Sequence, residues 1–203
     1  MKLWLVRHGE TEANVAGLYS GHAPTPLTEK GQTQARQLGK MLRQVPFDRV
    51  LCSELERTHL TASLLLGDRT LPLTPHSRLN EMFFGDWEMR HHRDLQVEDK
   101  ENYAAWCNDW QHAAPTNGES FPAFSQRVSD FVGELAHYDD QNLLIVSHQG
   151  VLSLLTALLL GMPTASMWHF RIDHGAWSVI DISQQFATLR VLNSRAIWLP
   201  DEA

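Results

Sequence analysis

The chain of 203 residues begins MKLWLVRHGETEANVAGLYSG (residues 1–21), and the run LWLVRHG at residues 3–9 decides the fold. Four consecutive apolar residues without polar alternation predict a strand that is covered on both faces. This strand ends in Arg7 and His8, which stand side by side before Gly9. Placing both at the end of a buried strand costs free energy unless a site uses them. The stretch therefore predicts a functional site at the end of a buried strand.

Two further apolar runs end in polar residues in the same way. VLC at residues 50–52 precedes Ser53, and LLIV at residues 143–146 precedes Ser147 and His148. A segment with helical signals follows each of the three runs, which is the pattern of a parallel sheet between two layers of helices. In such sheets ligands bind at the carboxyl ends of the strands. We therefore expect an α/β fold, a three-layer α/β/α sandwich with a mostly parallel central sheet and its site at these strand ends.

The rest of the chain supplies the other elements of one domain, residues 1–203. Thr28 is placed to cap a helix, and apolar residues three and four apart predict a second helix over 121–135. WSVIDIS (177–183) and FATLRVLNS (186–194) predict a hairpin that turns at Gln184-Gln185. The polar, tryptophan-rich residues 86–118 have no long apolar face. We expect them to form a cap insertion of short helices and loops over the carboxyl ends of the strands.

Composition excludes several classes of function. The net charge of −7 argues against a nucleic-acid binder, and the longest apolar run, 12 residues at 151–162, is shorter than the roughly 20 that a membrane span needs. Cys52 and Cys107 show no CxxC spacing, so we expect reduced thiols and a cytoplasmic location. Eleven histidines include the pair His91-His92, but no HExxH or Cys/His quartet occurs, so no metal is expected. There is also no GxxxxGK[ST] loop.

The Arg7-His8 pair suits anion binding, because arginine offers phosphate a planar fork of donors. A histidine beside it can be a nucleophile, a general base, a hydrogen-bonding group or only a satisfied residue at a strand end. The pair alone leaves these alternatives open.

Several motifs together resemble one family. In order along the chain they are RHGETEAN (7–14), SELERTHLTA (53–62), LNEMFFGDWE (79–88) and VSHQGVL (146–152). In this order and at these spacings the chain resembles the histidine phosphatase superfamily, which includes cofactor-dependent phosphoglycerate mutase. The resemblance implies transfer of a phosphoryl group to a histidine, without a metal or a cofactor.

The resemblance also implies a role for each matching residue. His8 corresponds to the nucleophile that becomes a phosphohistidine, with Arg7 and Arg57 as clamps on the phosphate oxygens. His148 corresponds to the second histidine of the pocket. Glu81 corresponds to the acid that protonates the leaving oxygen and then activates water. Chemically, His8 must be neutral to attack, whereas a phosphate dianion would favour protonation of His148.

The substrate-side assignments are weaker. Asn14 resembles an amide that contacts the phosphate, Ser20 and Gly21 align with a substrate-side turn, and Gln149 adds a further contact. Trp87, like two other tryptophans of the predicted cap, either stacks on a substrate ring or holds the cap together.

Within the family we expect a phosphatase rather than a mutase, because the chain is short and departs from the mutase pattern after residue 88. LCSELERTHLTA (51–62), ENYAAWCNDWQHAAPTNGE (101–119) and GMPTASMWHFRID (161–173) resemble the branch that dephosphorylates ribazole 5′-phosphate or adenosylcobalamin 5′-phosphate in cobalamin nucleotide-loop assembly. The expected partner is therefore a small phosphomonoester, and the oligomeric state is unknown. The alternatives are a mutase, a sugar-phosphate phosphatase, a metal-dependent phosphatase and a non-catalytic module that binds a phosphorylated ligand.

Overall fold

A computed structural model describes residues 1–139 and 141–200, and these residues form one six-stranded sheet between helices. The strands are β1 Lys2–Arg7, β2 Arg49–Cys52, β3 Leu73–Pro75, β4 Asn142–Ser147, β5 Trp177–Ser183 and β6 Phe186–Ser194. The α-helices are α1 Glu12–Ala16, α2 Glu29–Met41, α3 Glu56–Leu66, α4 His92–Glu98, α5 Lys100–Asn108, α6 Phe121–Glu134 and α7 Gln149–Leu159. Short 3-10 helices lie at Ser77–Leu79, Gly85–Trp87, Leu135–His137 and Thr164–His169.

The strand order is β3-β2-β4-β1-β5-β6. The first four strands in this order are mutually parallel, and β5 and β6 add an antiparallel hairpin at one edge. Gln184 and Gln185 form the hairpin turn, with φ of 49° and 65°. Two consecutive residues with positive φ match the right-handed twist of a hairpin. The predicted mostly parallel sheet and the predicted hairpin are both confirmed.

Alternate residues of the buried strands point to two separate cores. Leu3 and Leu5 of β1 pack with residues of α6 and α7 on one face of the sheet. Trp4 and Val6 pack with residues of α2 and α3 on the other face. Fully burying an aliphatic side chain contributes about 1.5–3 kcal/mol, so both faces stabilise the sheet. The three-layer α/β/α arrangement is confirmed, and its physical cause is the unbroken apolar run at 3–6.

The predicted helix signals mark real helices. Thr28 caps α2, because its side chain accepts a hydrogen bond from the Gly31 N–H at 3.0 Å. The apolar run at 151–162 forms most of α7, and Gly161 follows this helix with φ of 68°. Within 1–139 and 141–200, every helix is too short or too polar to cross a membrane.

Residues 86–118 fold into short helices and loops around a small core of their own. Trp87, Leu95 and Tyr103 form this core, apart from the two cores beside the sheet. The segment is joined to the loop after α1, where the Met89 N–H donates to the Tyr19 carbonyl at 2.8 Å. It therefore lies on the loop that carries Ser20 and Gly21.

Candidate active site

The ends of β1, β2 and β4 meet at one edge of the sheet. The His8 N–H donates to the Ser147 carbonyl at 3.0 Å, and the Ser53 N–H donates to the Val146 carbonyl at 3.3 Å. The rings of His8 and His148 consequently lie 5.1 Å apart, centroid to centroid. The parallel register thus brings together residues that stand 140 positions apart in the chain.

His8 is buried, and one ring nitrogen is committed to the backbone. Its Nδ1 lies 2.8 Å from the Gly9 carbonyl oxygen. A carbonyl can only accept, so Nδ1 carries the proton of the neutral ring and Nε2 carries the lone pair. Burial, followed by the charges of Arg57 and Arg7, lowers the pKa of His8 well below its usual value. His8 is therefore a neutral imidazole near pH 7, in the tautomer that presents Nε2 as a nucleophile.

Two guanidinium groups lie beside this ring. Arg7 donates to the Gln149 side-chain oxygen at 3.3 Å and to the Ile172 carbonyl at 3.1 Å. Arg57 donates to the carbonyl oxygens of Gly21 and Ala23. Burial lowers the pKa of both arginines, and the nearby Glu81 carboxylate opposes that shift. Both side chains are thus fixed by the backbone before any ligand binds.

Unpartnered polar atoms concentrate at this site. Within residues 1–139 and 141–200, five buried side-chain nitrogen or oxygen atoms lack a hydrogen-bond partner. Three of these atoms are Arg7 Nε, Arg57 Nε and His148 Nδ1, and a fourth is Ser20 Oγ. A buried donor without an acceptor costs about 1–3 kcal/mol. Because phosphate oxygens are strong acceptors, a phosphoryl group between these residues would satisfy several of these donors at once.

His148 is held by the loop after β2. Its Nε2 lies 2.8 Å from Ser53 Oγ, which also accepts a hydrogen bond from the Leu55 N–H at 3.2 Å. Burial lowers the pKa of His148 well below its usual value, and the positive charges of Arg57 and Arg7 add to the shift. Without an anion His148 is therefore neutral. A bound phosphate dianion would act in the opposite direction and favour protonation of its Nδ1.

Glu81 is oriented by backbone amides on both sides. Its Oε1 accepts from the Met82 N–H at 3.0 Å, and its Oε2 accepts from the Gly150 N–H at 3.0 Å. A Cβ atom at Gly150 would lie 2.6 Å from Glu81 Oε1. A glycine at the start of α7 is therefore what lets the carboxyl group approach the pocket of the two histidines.

Comparison with known proteins identifies this arrangement. Residues 3–195 match the model of the histidine phosphatase superfamily, branch 1. The chain belongs to this family. It is 68% identical over 202 residues to the adenosylcobalamin/alpha-ribazole phosphatase of Salmonella typhimurium, an alignment that covers 99% of this chain and 100% of the relative. As a histidine phosphatase, the chain is an enzyme of phosphate-ester chemistry.

Solved structures agree with this membership. The alpha-ribazole phosphatase of Shigella flexneri superposes with a TM-score of 0.97 at 69% identity, covering 99% of this chain and 100% of that one. A mycobacterial glucosyl-3-phosphoglycerate phosphatase, solved with inorganic phosphate, superposes with a TM-score of 0.80 at 26% identity, covering 95% of this chain and 97% of that one. The histidine phosphatase fold is therefore shared along nearly the whole chain.

The structure assigns Gln149 a different role from the predicted substrate contact. Its side-chain oxygen accepts from Arg7 and from the Ile172 N–H, and its amide nitrogen donates to Ser153 Oγ and the Phe170 carbonyl. These four hydrogen bonds use the full capacity of a primary amide. Gln149 therefore has no hydrogen bond to offer a substrate, and its role is to hold Arg7.

The predicted contact between Trp87 and a substrate ring is also corrected. Trp87 is 1% exposed, its Nε1–H donates to Asp99 at 2.8 Å, and its ring packs edge-on against Trp106. No face of this indole is open to a ligand, because the folded segment 86–118 closes around it. Trp87 holds the segment together, which is the other role that the sequence allowed.

Three predicted residues, Asn14, Ser20 and Gly21, lie on α1 and the loop that follows it. Asn14 Oδ1 accepts from the backbone and hydroxyl of Thr11 in the capping box of α1, and its Nδ2 makes no hydrogen bond within the described residues. Ser20 contributes an unpartnered hydroxyl, and the Gly21 carbonyl accepts from Arg57. Ser20 and Gly21 thus lie beside an arginine of the site.

Sequence reasoning missed two residues that organise the site. The Glu88 carboxylate accepts hydrogen bonds from the N–H groups of Gly21, His22, Ala23 and Phe84. His174 Nδ1 donates to the His8 carbonyl at 2.6 Å, and its ring lies 5.5 Å from that of His8. Glu88 ends the quoted motif LNEMFFGDWE, but nothing in the motif indicates its distant partners. Among the described residues, no group of three metal-binding side chains occurs.

Proposed function

We propose that the chain hydrolyses α-ribazole 5′-phosphate, or adenosylcobalamin 5′-phosphate, through a phosphohistidine at His8. The observation that carries the substrate assignment is the 68% identity, over 99% of the chain, to a relative named for both compounds. The neutral, buried His8 beside two fixed arginines supports the reaction type.

In the proposed first step, the lone pair of His8 Nε2 attacks the phosphorus atom in line with the leaving oxygen. The P–O bond to the ribose 5′-oxygen breaks, and Glu81, which this step requires in its protonated form when the substrate is bound, gives that oxygen its proton. Arg7, Arg57 and His148 stabilise the charge on the three other oxygens, since phosphoryl transfer requires mainly positioning and charge stabilisation. At an effective dielectric constant of ~20, each charge contact at ~4 Å is worth roughly 4 kcal/mol before desolvation.

In the second step, water attacks the phosphohistidine from the side that the ribazole has left. Glu81, now a carboxylate, takes a proton from this water, and the P–N bond to His8 breaks. The products are inorganic phosphate and a free 5′-hydroxyl, and both Glu81 and His8 return to their starting states. The same carboxyl group serves as acid and then as base, as the two half-reactions require.

The proposal extends to organisation and location. Residues 1–203 form a single domain with a cap insertion at about 86–118, and the partner is a small phosphomonoester, with no metal or cofactor. A cytoplasmic location is supported by the free thiols of Cys52 and Cys107, which persist in reducing compartments.

The experiment is a measurement of phosphate release from a panel of esters with the full chain. α-Ribazole 5′-phosphate, adenosylcobalamin 5′-phosphate, 3-phosphoglycerate and fructose bisphosphate are each incubated with and without EDTA. We expect kcat/KM to be highest for one of the two cobalamin-pathway esters and unaffected by EDTA. His8→Ala is expected to lower phosphate release by at least ~10³-fold, because the nucleophile is lost.

Each alternative outcome changes a different part of the proposal. A preference for the sugar esters would withdraw the substrate but keep the mechanism. Loss of activity in EDTA, or full activity in His8→Ala, would refute the phosphohistidine route itself.

A further inference from the structure

A cavity of about 190 Å³ lies against Glu81, and neither His8 nor His148 lines it. Glu81, Gln149 and Gly150 form the polar part of its lining. The tryptophan cleft, defined by Trp106, Trp110 and Trp168, lines the rest together with phenylalanine and methionine side chains. These aromatic and methionine walls come from four segments of the chain: residues 82–84, α5 and the loop after it, the start of α6, and the 3-10 helix Thr164–His169.

The aromatic rings of the cleft are fixed against one another. Trp110 meets Phe121 edge-on, with ring centroids 4.6 Å apart, and it meets Trp168 edge-on at 5.7 Å. Trp106 is supported from behind by Trp87 at 5.8 Å. Edge-on contacts leave ring faces available to a further planar group.

Trp168 distinguishes this cleft from ordinary core packing. Its side chain is 59% exposed, in contrast to the 1% exposure of the structural Trp87. Leaving a large indole in water forgoes the free energy that its burial would contribute. An exposed tryptophan on the rim of an apolar cavity is characteristic of a binding site.

The position of Glu81 determines which part of a substrate enters the cleft. Glu81 must reach the leaving oxygen, so the group bonded to that oxygen continues beyond Glu81, away from His8. The inner wall offers this group few hydrogen bonds, because the amide of Gln149 is fully used by the protein. An apolar, planar group fits such walls better than a second sugar or a carboxylate.

Resting on the proposed function, we propose that the tryptophan cleft binds the planar aromatic base of the substrate, with Trp168 and Trp110 as the residues that determine specificity. The phosphoryl group lies at His8, the ribose passes Glu81, and the base stacks on the indole faces. Selection of a nucleotide-like ester over other phosphomonoesters then occurs in the cleft, apart from the phosphate-binding groups.

The test compares two substrates that share the ribose 5-phosphate group and differ at C1, where one carries the base and the other a hydroxyl. kcat/KM is measured for α-ribazole 5′-phosphate and for ribose 5-phosphate with the wild type, Trp168→Ala, Trp168→Phe and Trp110→Ala. Stacking of a base on an aromatic side chain is worth about a 5- to 150-fold change in affinity. We expect the ratio of the two kcat/KM values to fall by about that factor in both alanine variants and to be largely restored in Trp168→Phe. Phe186→Ala, at an exposed aromatic that begins β6 and does not line the cavity, is the matched control.

Binding of free α-ribazole, which has no phosphate, separates this proposal from the proposed function. Titration calorimetry is expected to show binding to the wild type that weakens in Trp168→Ala. The cleft assignment would be overturned if the Trp168 and Trp110 alanine variants kept both the wild-type kcat/KM ratio and the wild-type Kd for free α-ribazole. This holds even if the ester is hydrolysed. Failure of the wild type to hydrolyse the ester, with free α-ribazole still bound in the cleft, would refute the proposed function alone.

Discussion

His8 owes its neutral form to burial and to nearby arginines, and its tautomer to the residue that follows it in sequence. The Gly9 carbonyl fixes the tautomer, and Arg7, with Arg57 from α3, helps to keep the ring neutral through electrostatic repulsion. The same arginines provide the positive charge that a phosphoryl group needs. Burying these cations is costly in isolation, and the carbonyl oxygens of Ile172 and Gly21 offset part of that cost.

At the scale of single residues, Gln149→Met tests the assignment of Gln149 as the support of Arg7. Methionine keeps the length of the side chain but offers Arg7 no strong acceptor. A hydrogen bond to a charged group is worth about 1.5–3 kcal/mol, so we expect kcat/KM to fall about 10- to 100-fold for every ester. Inorganic phosphate should inhibit the variant more weakly to a similar degree.

The control for this variant is Gln126→Met, which removes an amide on the exposed side of α6. Steady-state kinetics with phosphate as a competitive inhibitor makes both comparisons. If Gln149→Met bound inorganic phosphate as tightly as the wild type, Gln149 would not be positioning Arg7.

Among the elements, the loop at residues 20–23 depends on a carboxylate from the segment after β3. The Glu88 carboxylate gathers three consecutive N–H groups of this loop, at 2.8–3.1 Å. Because the carbonyl groups of Gly21 and Ala23 hold Arg57, a change in the geometry of this loop would move the Arg57 guanidinium. The segment 86–118 and Arg57 are thereby coupled through the Glu88 side chain.

Glu88→Gln is expected to loosen this loop. Each oxygen of the Glu88 carboxylate accepts two backbone N–H groups. The glutamine amide keeps one acceptor oxygen, and its NH₂ group cannot accept from the N–H donors that it would face. At least two of these hydrogen bonds are therefore lost. We expect amide hydrogen exchange at residues 21–23 to accelerate about 10-fold or more, and kcat/KM to fall by about the same factor. Hydrogen-exchange mass spectrometry, with Glu101→Gln at an exposed position of α5 as control, measures the first effect. Wild-type exchange at 21–23 in the Glu88 variant would disprove the coupling.

For the whole molecule, three neutral imidazoles at one sheet edge make stability depend on pH. Burial lowers the pKa values of His8 and His148, and burial with the charge of Arg7 lowers the pKa of His174 to about 4, although Glu10 and Asp173 oppose that shift. The unfolded chain binds protons near pH 6.5, before the folded chain does. The contribution of these three histidines to the free energy of unfolding is therefore complete above pH 6.5. It is lost as the pH falls through the pKa values that they have in the folded protein.

We expect the free energy of unfolding to decrease between pH 6.5 and 4, and His174→Gln to flatten that decrease. Glutamine can still donate to the His8 carbonyl but does not titrate. The pKa shift of His174 corresponds to roughly 2–3 kcal/mol at the acid end of this range. Urea unfolding at several pH values measures the slope, with the exposed His112→Gln as control. Equal slopes for His174→Gln and the wild type would exclude His174 as a source of the pH dependence.

The sequence alone determined the layered fold and the positions of His8 and His148 at the ends of neighbouring strands. The run LWLV, buried on both faces, requires helices on both sides of the sheet, and parallel strands bring His8 and His148 to the same edge. These features follow from the period of the hydrophobic pattern and from motifs of contiguous residues, which are local properties of the chain.

Only the tertiary structure decided how the supporting side chains are used. The side-chain amide of Gln149 bonds to backbone groups 21 and 23 positions away in the chain. The Glu88 carboxylate accepts from backbone N–H groups 65–67 positions away. Trp87 is buried, whereas Trp168 is exposed. The types of these residues allow either a structural or a ligand-binding role. Which role each takes depends on the distant segment that packs against it, because a hydrogen bond or an aromatic contact needs a partner within a few ångströms in space, whatever its distance along the chain.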